Sequence, residues 1–551
     1  MHSDDGMSKL SPVLVTGGPI WTGRRTVQAL GISGGRVVAA GDLSQVRDAL
    51  RREYQVLDAE GRRVIPGLID SHTHFVRAGL TWDRTTRWDD IASLDEGLAR
   101  VRVAADAGTG WLRVLGGWHP GRFAEGRGPT PAEWDAVTGD RPAYLQLLYE
   151  EGLLNGAGLK MLLAAGDAPG IERAADGSPT GRVHGPVAFA RVQALFDQPA
   201  PDEALISTEA LAAAMAARGI TGVVDPGGLG MSPESYDTVF RLWRQRRLNV
   251  RVRLYVMPRS RGGELAEIRD WMRYVHPGFG DGLLKYTGLG EVPVFGCHDM
   301  EGVRPFEITG EARQSLEEVS LLAAHNNWPI HIHAILDSSI TAVLDVWEKI
   351  DAAVGLAGRR FSLAHAEALS PANLARVKRL GVGVAIQNRL MYRAADSAAL
   401  WGQQTLAESP PLRDLIEMGI PWGAGTDATV VSPFDPWLAI WWLVTGKSFD
   451  GASPRSRRHR LTVAEAILGY TAGSAWFSFE EGRRGHLERG ADADLAVLDV
   501  DPFAAEPDAL PGVSADLTLL GGAPSHVGAA FAGWNALGDP DDATASPGTD
   551  H

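Results

Sequence analysis

Short apolar runs alternate with helix-length amphipathic stretches through the middle of the chain. Eight runs stand out: VIPGLIDSHTH from residue 64, then GITGVVDPG (219–227), VRVRLYVMP (250–258), GLLKYTG (282–288), PIHIHAI (329–335), FSLAHAE (361–367), GVGVAIQN (381–388) and IPWGAGTD (420–427). Each has the length of a strand buried on both faces. Segments such as STEALAAAMAARG, GEARQSLEEVSLLAAHNN and SPANLARVKRLG separate them with helical periodicity. Regular alternation of strand and helix predicts an α/β fold, a (β/α)8 TIM barrel over residues 64–479.

The two ends of the chain have a different texture. Residues 1–63 and 480–530 read as short strands punctuated by Gly and Asp, which predicts one β-sandwich built from both termini. Residues 80–210 interrupt the strand–helix order after the first barrel strand, and are expected to form an inserted subdomain over the barrel mouth. The polar, Pro- and Gly-containing tail 536–551 is expected to be disordered.

Composition narrows the function classes. With 551 residues, 44% hydrophobic and 22% charged, the chain can bury a large core, and no apolar run reaches the ~18 residues of a membrane helix. A formal net charge of −15 argues against a nucleic-acid surface, the short basic run RSRRHR (455–460) notwithstanding. The acidic N-terminal stretch lacks the features of a secretory signal, so cytoplasmic location and a small-molecule substrate are expected, with no membrane or nucleic-acid partner. The single cysteine, Cys297, excludes an intrachain disulfide and a cysteine-based metal cluster, leaving histidine, carboxylate or lysine-derived oxygen as ligands.

In a barrel of this kind the chemistry gathers at the C-terminal ends of the strands. Alternation along a strand projects His72 and His74 to one side, with Asp70 beneath them. Later runs add Lys285, His333, His365 and Asp427. One imidazole on an apolar strand is ordinarily a hydrogen-bonded core residue; four converging with an aspartate suggest a divalent metal. His331 shares its face with His333 and is the rival ligand in that motif, read here as packed behind it.

The motifs PGLIDSHTH, HAILDSSI, LAHAEALSP, GAGTDATV and GHLERGADADLAVLD, with GGWHPGRFAEGRGPTPAEWDAVTGDRPAYL in the insertion, resemble the amidohydrolase superfamily. Within it they resemble the YtcJ-like branch (amidohydrolase family 3), which includes N-substituted formamide deformylases. The resemblance implies one or two divalent ions, zinc first. His72 and His74 would bind one ion and His333 and His365 the other, with Lys285 as a carboxylated bridging ligand. Asp427 would bind metal and shuttle a proton while metal-bound hydroxide attacks an amide, formamide or cyclic amide carbonyl. A homodimer is expected by analogy alone.

Departures from the branch pattern fall in loops. Leu289 stands where an Asp precedes Gly290, Leu336 stands at a glycine position, and Glu150 replaces a histidine in the insertion. Glu150, Glu291, His298 and Trp118 are therefore candidate substrate contacts, and tryptophans 82, 88, 441 and 442 could add an aromatic wall. A C–C hydrolase or lyase on the same metals is the alternative activity, and a catalytically silent binding protein the less favoured one.

Overall fold

The computed structural model describes residues 11–51, 53–166 and 169–534, so the expected tail 536–551 lies outside the described residues. Eight strands make the centre: β1 (Leu68–Asp70), β2 (Ile220–Asp225), β3 (Arg251–Val256), β4 (Leu284–Leu289), β5 (His331–Ala334), β6 (Ser362–His365), β7 (Gly383–Gln387) and β8 (Trp422–Gly425). β1 to β4 pair in parallel in chain order, and β5 to β8 do the same. Both seams carry backbone bonds. Leu289 bridges in parallel to Ile330, and Ser71 N donates to Ala424 O at 3.0 Å.

Every residue of β2, β3, β5, β6 and β7 is buried, as continuous apolar runs covered on both faces require. Helices fill the connections, including Asp237–Arg244, Glu264–Tyr274, Gly310–His325, Asp337–Val354 and Pro371–Leu380. Their starts are written locally: the Thr309 and Ser370 side chains accept from Ala312 N and Asn373 N. One apolar cluster joins these helices to the strands, with Trp328, Trp347 and Trp437 fully inside.

Strands Val13–Thr16, Ala29–Ser33, Arg36–Gly41 and Gln55–Asp58 form a four-stranded sheet. A six-stranded sheet brings Ile20–Trp21 and Arg63–Pro66 together with Leu495–Leu498, Ala515–Leu520 and Ala523–Val527. Val13, Leu30 and Ile32 of the first share a core with Leu495, Val497 and Leu517 of the second.

Between β1 and β2 lies a five-stranded sheet in the order Ile171–Arg173, Pro179–His184, Glu151–Leu154, Ala143–Leu147, Leu112–Leu115. It has two apolar clusters of its own, one around Trp88, Trp118 and Trp134 and one around Trp111, Tyr144 and Phe189. Among the described residues no helix is long and apolar enough to cross a membrane.

Candidate functional site

At the C-terminal ends of the parallel strands the structure brings together four imidazoles and two carboxylates, all buried: His72, His74, His333, His365, Glu291 and Asp427. His72 and His74 lie just past the end of β1, in a bend held to the neighbouring strands because Ser71 N and Thr73 N bond to Ala424 O and Val224 O, both at 3.0 Å. His74 then stands at the start of the helix Phe75–Gly79. His72 Nε2 lies 3.3 Å from Glu291 Oε2 and 3.6 Å from Asp427 Oδ1. His74 Nε2 is 3.1 Å from Asp427 Oδ1 and 3.5 Å from Glu291 Oε1. His333 Nδ1 is 3.8 Å from Glu291 Oε2, and the His333 and His365 rings are 4.4 Å apart between centroids.

The surroundings fix how each ring presents itself. His74 Nδ1 donates to Gly227 O at 2.6 Å, which leaves Nε2 as the free lone pair facing the carboxylates. His72 Nδ1 is engaged with His331 Nε2 at 2.9 Å, and His331 Nδ1 with Ser362 Oγ at 2.9 Å. His331 thus sits behind the cluster. His333 Nε2 lies 2.9 Å from Asp299 Oδ1, and Asp299 is held by Ile335 N and Leu336 N at 3.0 and 2.9 Å. Asp70 accepts from His72 N, Thr426 N and Thr426 Oγ1 at 3.0, 3.2 and 2.6 Å, tying β1 to the loop that carries Asp427.

Two glycines make this convergence sterically feasible. A Cβ on Gly425 would fall 2.7 Å from both Asp70 Oδ1 and His72 N. One on Gly290 would fall 2.0 Å from Pro226 O, where the chain passes closely enough for Glu291 N to donate to that carbonyl at 3.0 Å. Asp427 and His365 hold left-handed backbone angles, φ 55° and 69°, a conformation that non-glycine residues adopt mainly where the surroundings impose it.

Burial would raise both carboxyls, yet His74, His333 and His72 hold Glu291 well below the ordinary carboxylate range, and His72, His74 and His365 do the same for Asp427. His298 stacks on His333 at 3.9 Å between centroids, and burial together with that neighbour pushes it down to about 3. His365 Nδ1 is fully buried with no hydrogen-bond partner among the described residues, and His72 Nε2 faces the Glu291 and Asp427 carboxylates. Two triads, His72–His74–Asp427 and His72–Glu291–His365, each place their ligand atoms within 4.8 Å of one another. A buried imidazole nitrogen without a partner, grouped with carboxylate oxygens and further imidazoles, fits a divalent cation, and imidazole with carboxylate oxygen is a donor set that zinc accepts.

Lys285 does not join this group. It is the second residue of β4, four residues and about 13 Å of strand before the end that carries the site. Its Nζ bonds Glu480 Oε1 at 3.1 Å, next to Arg253 and Arg484. The carboxylate facing the histidines is Glu291, which the sequence marked only as a substrate contact. Its signal was Gly290 before it, not strand periodicity.

A cavity of about 520 Å³ opens over the cluster. Its walls come from both the parallel-strand loops and the insertion, among them Trp82, Tyr149, Phe189, Phe196, His298 and Ile335. Trp118 and Glu150, also expected there, are elsewhere. Trp118 is buried in the insertion core, stacked on Phe123 and donating Nε1 to Gln146 O at 2.9 Å. Glu150 pairs with Arg393 and leaves half its side chain exposed. Tryptophans 88, 441 and 442 are core residues, and Cys297 is buried, its thiol pushed up to about 12 by burial.

A sequence model of the amidohydrolase family matches residues 55–526. An N-substituted formamide deformylase of Arthrobacter pascens is 25% identical over 499 residues, covering 86% of this chain and 90% of that protein. The YtcJ protein of Bacillus subtilis (strain 168) is 26% identical over 545 residues, 92% of this chain and 98% of its own length. Among solved structures, an uncharacterized metal-dependent hydrolase from Pyrococcus horikoshii OT3 superposes with a TM-score of 0.65 at 21% identity, over 90% of this chain and 99% of that one.

Proposed function

Because this chain belongs to the amidohydrolase family, a family of carbon–nitrogen hydrolases, we propose that it cleaves an amide, formamide or cyclic amide at a divalent metal centre on the rim of a (β/α)8 barrel. His72, His74 and Asp427 would hold one ion and His333 and His365 a second, with Glu291 between them in the role first expected of Lys285. The observation that carries this reading is the pair of buried triads, His72–His74–Asp427 and His72–Glu291–His365, each with its ligand atoms within 4.8 Å of one another, and the buried His365 Nδ1 that has no hydrogen-bond partner among the described residues.

A divalent ion held by these residues would supply Lewis acidity, polarising the scissile carbonyl and lowering the pKa of a water to about 7. The remaining work belongs to side chains. Asp427 Oδ1, 3.1 Å from His74 Nε2, accepts the proton of the attacking water and returns it to the departing nitrogen. His298 accepts from Met300 N at Nδ1, 3.1 Å away, so its neutral ring keeps the proton on Nε2. That N–H, on the cavity wall, is a donor for the oxygen on which charge develops. Trp82, Phe189 and Phe196 favour a substrate with an apolar or aromatic body and keep water from it.

The test is metal content by plasma mass spectrometry together with amine release from N-formyl and N-acetyl benzylamine. His72→Ala is expected to lower metal content and Asp427→Asn to lower turnover by at least about 100-fold. Variants that keep both the metal and the activity of the parent would refute the assignment.

A further inference from the structure

Four arginines line the cavity, and three of them bond a neighbouring side chain. Arg87 pairs with Asp89 at 2.7 Å, Arg389 pairs with Glu367, and Arg77 Nη2 donates to Tyr149 Oη at 3.1 Å. Arg113 is the exception. It sits in the insertion strand Leu112–Leu115, where alternation turns Leu112 and Val114 into the insertion core and Arg113 and Leu115 to the cavity.

Arg113 is only 5% exposed, yet its Nε has no hydrogen-bond partner and neither Nη atom donates to any described residue. Asp197 and Asp83 attract it from a distance, but neither forms an ion pair with it. Its guanidinium carbon lies 5.1 Å from the Phe196 ring centroid, a contact with the face of the fork that leaves the in-plane N–H groups unused. Burial and Arg84 push it down to about 10, so it is still a cation at neutral pH. A buried, planar cation with idle donors on a cavity wall has the chemistry to bind a carboxylate through two parallel hydrogen bonds.

We propose that Arg113 anchors a carboxylate on the substrate, so that the substrate class is amides whose apolar or aromatic body ends in a carboxylate at the insertion side of the cavity. The inference rests on the reading of this cavity as the site of amide hydrolysis. It makes Arg113 a specificity residue, supplied by the inserted sheet and not by the strands that carry the histidines.

Equilibrium binding separates the two ideas, because it needs no turnover. Calorimetric titration of the metal-loaded protein with 4-phenylbutyrate and with neutral 4-phenylbutan-1-ol is expected to favour the carboxylate by about 10- to 100-fold, the range of a charge-assisted pair. Arg113→Met is expected to erase that preference while leaving affinity for the alcohol unchanged, and Arg113→Lys to keep part of it. Equal binding of the two compounds to the parent protein would overturn the proposal. So would a preference that survives in Arg113→Met, which would locate the carboxylate at the metal, or a loss of both ligands together, which would make Arg113 structural. Acetate or inorganic phosphate binding as tightly as 4-phenylbutyrate with the same dependence on Arg113 would assign a free-anion site and overturn the substrate anchor. Failure of amide turnover with the Arg113-dependent preference intact would refute the hydrolytic reading alone.

Discussion

At the end of the strands opposite the histidines, Glu480 accepts from Arg253 Nε and Nη2 at 2.8 and 3.0 Å, from Arg484 Nη1 at 2.7 Å and from Lys285 Nζ at 3.1 Å. Arg253, Arg484 and Glu480 are all buried, and Glu480 is the carboxylate shared by the two guanidinium groups, Arg484 also donating to Asp492 at 3.2 Å. Glu480→Gln keeps one acceptor oxygen and turns an N–H2 toward a cation, which breaks a buried ionic network at a cost of about 3–5 kcal/mol. With an unfolding entropy of about 2.1 cal/mol/K per residue, the 551-residue chain carries about 1.2 kcal/mol/K. If it unfolds in one transition, the variant melts about 3–4 °C lower at pH 7. Burial opposes ionisation of Glu480, but Arg253 and Arg484 outweigh it and hold the carboxyl below its ordinary 4.5. A depressed carboxyl contributes fully above its unfolded value and loses that contribution as pH falls through the folded one. The gap between parent and variant, followed by calorimetry or circular dichroism, should therefore be widest above pH 4.5 and narrow below it. Equal melting at pH 7, or a gap that stays constant down to pH 3.5, would refute the argument.

Three further outcomes test the site. Glu291→Gln should lose bound metal while Lys285→Met keeps it, measured by plasma mass spectrometry on dialysed protein; the reverse result would restore the lysine as bridge. Asp427→Asn should lower kcat/KM for amide hydrolysis by about 10²–10⁴-fold, the span of general acid–base contributions; a drop below tenfold would remove its proton-transfer role. His331→Phe removes the ring that engages His72 Nδ1 at 2.9 Å and should weaken metal affinity about 10–100-fold by competition with a chelator. An unchanged affinity would make His331 mere packing.

Much of this architecture is legible in the order of residue types along the chain, because its rules are local. A strand buried on both faces must be a short apolar run, and an i, i+2 pair of histidines at its end must project together. The parallel strands and the placement of His72, His74, His333, His365 and Asp427 near their ends follow from such patterns. The errors fall where local rules have no force. Lys285 has a suitable chemistry on a correctly recognised strand, but the strand's bounds decide which end of the sheet it occupies, and it is the second residue rather than the last. Trp118 and Glu150 lie in the insertion, whose packing onto the central strands leaves no periodic trace in the sequence.

The family, the parallel strands and the imidazoles near their ends were legible along the chain, since each depends on the spacing of residue types within one segment. Long-range packing set the rest: Glu291 faces the histidines, Lys285 belongs to the ionic cluster at the other end, and Arg113 reaches the cavity wall with its donors idle. Those outcomes depend on where a loop turns after Gly290 and on how an inserted sheet lies against the strands. Each is a contact between segments far apart in the chain, set by packing and by the pairing of buried charge.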